Sequence, residues 1–371
     1  MGKGKVRKMF PGGNTAYGFY SYYDHIIEPD ATRIFVIKGG PGVGKSTFMH
    51  RIGEDLLNSG YDLEFMCCSS DNDSLDGLVV PSIRVALIDG TAPHVLDPKN
   101  PGVVDEIIHL GDFWDESKMR PYKQEVLEAN RRVGRLFQIA YSQLKEAKVI
   151  KDEAESYVCE SMDFAGVNQV LRETAAAVFK GAPVQHNRFP KIRRLFCSAI
   201  SPDGVVHYLE TLLQDTKRLY LIQGPPGSGR STFLSRIAET AAIRGLDLEV
   251  FHCAFDPREI DLVAIPALKT AVLKDVLELH FSPPQGLEVC TVNLELFSDP
   301  RVLASYAAEV AYARRRFSEA LARAVQYIRE AKLTHDYMES YYVPAMDFAA
   351  VEEKRREVLA RIKKYAAETG L

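Results

Sequence analysis

The chain has 371 residues, with 46% hydrophobic and 26% charged side chains, a mean hydropathy of −0.14 and a formal net charge of −4. That length suits two α/β domains. The slight acidity, with a pI near 6.2, argues against a general nucleic-acid binder, and no apolar run approaches the roughly 20 residues of a membrane span.

The opening MGKGKVRKMF is basic but lacks the apolar stretch of a signal peptide, and Val6 stands where a myristoylation motif wants Ser or Thr. Phe10 to Gly18 reads as a short strand and glycine turn. Ile34-Phe35-Val36-Ile37 is an apolar strand that runs into Gly39-Gly40-Pro41-Gly42-Val43-Gly44-Lys45-Ser46, followed by Thr47 and an amphipathic helix. This run fits G-x-x-x-x-G-K-[ST] at every position, and the strand–loop–helix setting gives the pattern its meaning. Glycines let the backbone curl so that successive N–H groups face a phosphate, and the helix N-terminus adds partial positive charge. Lys45 is expected to reach the β- and γ-phosphates of ATP, and the Ser46 hydroxyl to ligate Mg²⁺.

The helix should end near Gly60, and Asp62 to Cys68 forms the next strand. Asp71 and Asp73 follow as D-x-D, which suits either metal or acceptor contacts or plain turn chemistry. Asp76 lies just beyond. Val85-Ala86-Leu87-Ile88-Asp89 is an apolar strand ending in an acid. Asp89 is the expected Walker B residue, holding Mg²⁺ with Ser46; the alternative is a surface acid capping a turn with Gly90. His94 follows in Asp-Gly-Thr-Ala-Pro-His, as a catalytic γ-phosphate sensor and water orienter or as a structural histidine. Asp105 to Leu110 is a further strand. Lys148, Asp152 and Glu155 share a helix face, with Lys148 and Asp152 spaced as an i,i+4 pair.

The second half repeats the first. A spacing of 185 residues carries Arg33, Lys45, Gly60, Asp62, Glu64, Cys68, Asp71 and Asp76 onto Arg218, Arg230, Gly245, Asp247, Glu249, Cys253, Asp256 and Asp261. Asp89 and His94 pair with Asp275 and His280 after one extra residue. Lys148, Glu155, Met162 and Phe164 pair with Lys332, Glu339, Met346 and Phe348 at a spacing of 184. Two related domains are expected, at residues 1–185 and 186–371.

The second copy has Ser201-Pro202-Asp203-Gly204, which reads as a helix start with Ser as N-cap. Leu219 to Ile222 then leads into a second loop, Gly224-Pro225-Pro226-Gly227-Ser228-Gly229-Arg230-Ser231, followed by Thr232. Arg230 keeps the charge of Lys45, but guanidinium is planar and bulkier than the ammonium such a loop encloses. This loop is expected to bind nucleotide without turnover, or to stay empty. Strands alternating with helices imply an α/β fold with a parallel sheet in each domain.

Arg301 to Tyr342 contains no Gly or Pro. Leu303, Val310, Phe317, Ala324 and Ala331 recur every seven residues, with Tyr306, Ala313, Ala320 and Tyr327 at a second seam position. The first copy matches at Val126, Val133, Ala140 and Ala147, although Gly134 is placed to bend or split it. A projecting arm, a seam joining the halves into a pseudo-dimer and ordinary helix–helix core are all open. Six cysteines without C-x-x-C spacing suit buried thiols in a reducing cytosol. No N-K-x-D guanine motif and no L-S-G-G-Q transporter motif occurs.

Phe10 to Thr15, Lys38 to Ser46, Asp89 to His94 and Phe196 to Ile200 resemble a bacterial family of tandem P-loop proteins, described as ATPase-like or nucleotide-kinase-like without an established reaction. The resemblance spans nearly the whole chain and implies an ATP-binding cytoplasmic protein. The expected function is Mg²⁺-dependent ATP hydrolysis in the first domain. A small-molecule kinase using Asp71, Asp73 or Asp76 toward an unidentified acceptor is a second reading. The third is a nucleotide-gated scaffold for a protein partner.

Overall fold

A computed structural model describes residues 2–92, 95–185, 188–275 and 281–369. The first half contains β1 (Val6–Met9), β2 (Gly12–Thr15), β3 (Gly18–Ser21), β4 (Arg33–Lys38), α1 (Lys45–Asn58), β5 (Leu63–Cys67), β6 (Leu75–Val80), β7 (Val85–Asp89) and β8 (Asp105–His109). Its helical part is α2 (Glu116–Met119), α3 (Lys123–Ser161) and α4 (Phe164–Val178). The second half repeats this with β9 (Ile192–Phe196), β10 (Ser198–Ser201), β11 (Gly204–His207), α5 (Leu209–Leu212), β12 (Arg218–Gln223), α6 (Arg230–Ile243), β13 (Leu248–His252), β14 (Ile260–Ile265), β15 (Thr270–Lys274) and β16 (Glu288–Asn293). It closes with α7 (Pro300–Ser305), α8 (Ala307–Tyr342) and α9 (Phe348–Glu368).

Each half holds a six-stranded sheet, in the orders β1-β5-β6-β7-β4-β8 and β9-β13-β14-β15-β12-β16. The expected parallel sheet is corrected to a mixed one, because β6 and β14 run antiparallel to both neighbours. Their connections explain this: four residues separate β6 from β7, enough for an antiparallel turn but not for a crossover. Both strands are buried along their full length, as their apolar composition requires.

Ser201-Pro202-Asp203-Gly204 is also corrected, from a helix start to the turn of the β10–β11 hairpin. The Ser201 hydroxyl donates to the Gly204 carbonyl and accepts from the Asp203 amide, and Gly204 takes φ +100°. A side chain that satisfies the turn locally removes the need for a helix to do so.

α3 runs unbroken through Gly134 over 39 residues, about 58 Å at helical rise. The run beginning at Arg301 is interrupted at Tyr306 (φ −105°, ψ 11°), so α8 has 36 residues. Tyr306 stacks on Tyr157 at 5.0 Å between ring centroids, and Tyr122, immediately before α3, packs on Tyr341 at 4.9 Å. The same start is therefore built twice. The long helices do not project: α3 and α8 pack against each other along Ala140, Leu144 and Ala147 facing Ala313, Ala320, Ala324 and Ile328. Small side chains at these positions let the two backbones approach closely, while Val126, Val133, Val310 and Phe317 sit half-buried at the margin.

The halves exchange their last helices. α4 buries Val167 and Val178 against Phe233 and Ile237 of the second half. α9 buries Val351, Val358 and Ile362 in the core around the first sheet, with Arg355 paired to Asp55 at 2.6 Å and Arg361 to Glu106. Contacts between the halves come in reciprocal pairs, the signature of a two-fold relation. The Phe10 amide donates to the Phe196 carbonyl and the Phe196 amide to the Phe10 carbonyl, both at 2.9 Å. Beside them Arg7 and Arg193 share Glu64 and Glu249, at 2.5 to 3.4 Å. Opposite charges alternate around this largely buried group, and removing any one would strand the rest. Among the described residues no helix is long and apolar enough to cross a membrane.

Candidate functional site

The loop from Gly39 to Gly44 joins β4, a buried central strand, to the first turn of α1. Gly39, Gly42 and Gly44 take φ values of +152°, +68° and +85°, and Gly224, Gly227 and Gly229 take +144°, +89° and +91°. These left-handed values are open to glycine at little cost and fold both loops alike. Pro41, Val43 and Ser228 lie within the same two turns, and Thr47 and Thr232 are exposed on the first turns of α1 and α6.

In the first loop the Lys45 ammonium donates to the Gly39 and Gly40 carbonyls, each at 3.0 Å, and lies 3.7 Å from Asp89 Oδ2. Asp89 Oδ1 accepts from the Thr91 amide at 2.8 Å. Burial pushes the Asp89 carboxyl upward, opposed by Lys45 and Thr91. Ser46 Oγ accepts from the Leu75 amide at 3.0 Å. Asp76, on β6, is buried nearby, and burial drives its carboxyl up to about 6 against Tyr23, Cys68 and Lys45. The structure thus sets Lys45 beside Asp89, with Ser46 next to Lys45 on the first turn of α1. His94 and His280 fall outside the described residues.

The mouth of each loop is covered by the long helix of the opposite half. Glu339 Oε1, on α8, accepts the Gly42 amide at 3.1 Å. Tyr342 and Trp114 close over Gly40, with ring centroids 5.9 Å apart. Two turns back from Glu339 on α8, Lys332 pairs with Asp336 at 2.6 Å and reaches Asp71 of the first half at 3.3 Å. Asp71 is further tied to the Ser74 hydroxyl at 2.9 Å, while Asp73 is exposed. The second loop has the mirrored arrangement, with α3 lying over Gly227, Cys159 Sγ 3.2 Å from the Gly227 carbonyl and Lys148 3.5 Å from Asp256. Glu155, however, is drawn to Lys151 at 2.6 Å. The repeated Lys148, Asp152 and Glu155 pattern was legible in sequence; that it serves the opposite half was not.

Strand register corrects one repeat pairing. Asp89 pairs across the sheet with Ile37, and Lys274, not Asp275, pairs with the matching Ile222. Likewise the amides of Gly90 and Asp275 donate to the Ile37 and Ile222 carbonyls, both at 3.0 Å. The extra residue falls after Lys274, so a lysine replaces the acid at the strand end. Its ammonium lies 2.7 Å from Asp261, 3.0 Å from Glu259 and 3.3 Å from Ser231 Oγ. Burial opposes that charge, but Asp261 and Glu259 outweigh it and hold Lys274 well above the usual lysine range. Glu259 is pulled far below the usual carboxylate range by Lys274 and Lys151, against its burial. Arg230 cannot settle beside this ammonium as Lys45 settles beside Asp89; it turns to the Asp275 carbonyl, and burial lowers its pKa. A lysine directly after the apolar run Ala271-Val272-Leu273 was the available signal.

His335, Asp336 and Glu339 bring ligand atoms within 4.8 Å of one another on α8, although Asp336 is exposed and tied to Lys332. Comparison with family models, with curated proteins and with solved structures returns no match for this chain.

Proposed function

We propose that the first half is a Mg²⁺-dependent ATP hydrolase and that the second loop is a degenerate, regulatory or structural counterpart. The observation that carries this reading is the seat of Glu339: the first loop already presents the Gly42 amide to an anion, the chain's own carboxylate. The residues around it fit a nucleotide triphosphate. Backbone amides and the α1 N-terminus would hold phosphate oxygens, Lys45 would add a mobile positive charge, and Ser46 with Asp89 would hold Mg²⁺. Bound Mg·ATP supplies the phosphoanhydride to be cleaved and the divalent charge that offsets its negative oxygens.

The chain's own contribution is positioning and electrostatic stabilisation. Lys45, now satisfied by two loop carbonyls, is free to turn toward a phosphate, and Trp114 and Tyr342 exclude water from the loop mouth. Phosphate and Glu339 compete for one amide, so occupancy of the loop must shift α8. Because α8 packs along α3, the seam would carry that shift between halves. The same linkage favours a nucleotide-gated scaffold as the second reading. A kinase acceptor site gains less support, since Lys332 and Ser74 already engage Asp71. The test is identification of the nucleotide retained on purification, with inorganic phosphate release measured without any added acceptor. ATP retained indefinitely with no phosphate released would replace hydrolysis by gating.

A further inference from the structure

We propose that Lys274 is the resident cation of the second loop: its ammonium takes the place of a divalent ion beside the loop serine, so this half works without metal. The inference rests on the reading of Ser46 and Asp89 as the metal pair of the first loop. Superposed through the sheet register, the corresponding pair is Ser231 and Lys274. A carboxylate there would attract a cation; a lysine brings one.

Three oxygens surround that ammonium: Asp261 Oδ1, Glu259 Oε2 and Ser231 Oγ, at 2.7, 3.0 and 3.3 Å. An anionic set of this kind, two carboxylates and a hydroxyl, is also what Mg²⁺ or Mn²⁺ selects. The substitutions are compensated. The first half has Ser74 and Asp89 where the second has Glu259 and Lys274, so the exchange adds one acid as it replaces another by a base. Ser231 donates to Glu259 at 3.0 Å, which commits the hydroxyl that would otherwise face a metal. Lys151 of α3 also holds Glu259, at 2.5 Å, and extends the cluster into the seam helix. Glu259 thereby links the second loop to α3 without any ligand, whereas the first loop meets α8 through Glu339, which a phosphate can displace. A phosphate-bearing ligand at the second loop would meet backbone amides and a fixed ammonium, with no metal position and no turnover.

The experiment counts bound Mn²⁺ by electron paramagnetic resonance in full-length chains carrying Asp89→Asn, so that the first site does not contribute. With Lys274 intact, no Mn²⁺ should bind at the second loop. Lys274→Ala should vacate a cavity lined by Asp261, Glu259 and Ser231, and should gain one Mn²⁺ per chain that Asp261→Asn removes. If Lys274→Ala fails to fold, Glu259→Ser/Lys274→Asp fills part of the vacated space and reproduces the residues of the first half; it should gain one Mn²⁺ in the presence of a non-hydrolysable ATP analogue. One Mn²⁺ bound with Lys274 intact and lost on Asp261→Asn overturns the proposal. So does a folded variant of either kind that stays metal-free, which would leave Lys274 as an ordinary ion pair. Failure of the first-site reading would show separately, as absence of nucleotide-dependent Mn²⁺ from the chain with Asp89 intact.

Discussion

The two loops share a backbone and differ in charge. Both run from a buried strand through three left-handed glycines into a helix, and both lie under the long helix of the other half. Yet Lys45 stands beside Asp89 in one, while Arg230 is turned away from Lys274 in the other. Glu339 rests on the Gly42 amide, whereas Glu155 is held by Lys151. A duplicated scaffold conserves geometry because every reciprocal contact between halves depends on it. Side chains at the strand end are free to diverge once a neighbour compensates, as Glu259 does for Lys274.

The comparison is broken most directly at the loops themselves. Lys45→Ala should reduce ATP turnover on the order of a hundredfold or more, since the proposed hydrolysis depends on that charge reaching the reacting phosphate. Arg230→Ala should leave most of the turnover, because Arg230 is spent on the Asp275 carbonyl. Steady-state phosphate release at saturating ATP decides it; equal losses would replace two unlike sites by one composite site.

A second asymmetry lies beneath the loops, where His252 occupies the place of Cys67. Its Nδ1 is 2.7 Å from the Pro257 carbonyl and its Nε2 accepts from Arg194 at 3.1 Å, so the ring is held neutral. Burial, reinforced by Arg194, lowers its pKa to about 4. A base held below its unfolded value of about 6.5 stabilises the fold above that pH, and the contribution disappears as pH falls from about 6.5 to 4. Two to three pKa units correspond to a loss on the order of 3 kcal/mol. His252→Cys should therefore show a shallower fall in melting temperature between pH 7 and 4 than the native chain. Parallel acid limbs in the two proteins would contradict it.

The smallest expected effect sharpens the difference between Glu339 and Glu155. Glu339→Gln removes the charge competing for the Gly42 amide and should tighten metal-free ATP binding by up to about tenfold, or about 1.4 kcal/mol. Glu155→Gln should leave that affinity unchanged. Calorimetric titration of both variants measures this directly, and tightening by Glu155→Gln alone would reverse the assignment of the two loops.

Local chemistry made much of the molecule legible in sequence. Glycine spacing marked both loops, since φ values near +90° are otherwise costly, and the matched offsets exposed the duplication. Seven-residue periodicity identified α3 and α8, and buried Ala140, Ala147, Ala313, Ala320 and Ala324 lie on the anticipated stripes. The acid at the end of β7 followed from its apolar run. Tertiary structure decided the rest. An apolar helix face suits either of two like sheets, so no local pattern could tell that α4 and α9 would cover the opposite halves. Short connections turned β6 and β14 antiparallel, which an alternating strand–helix pattern hides. Matching identical letters carried Asp89 to Asp275, but hydrogen bonding across the sheet puts Lys274 there, because register is set by pairing with a neighbour and not by likeness along the chain.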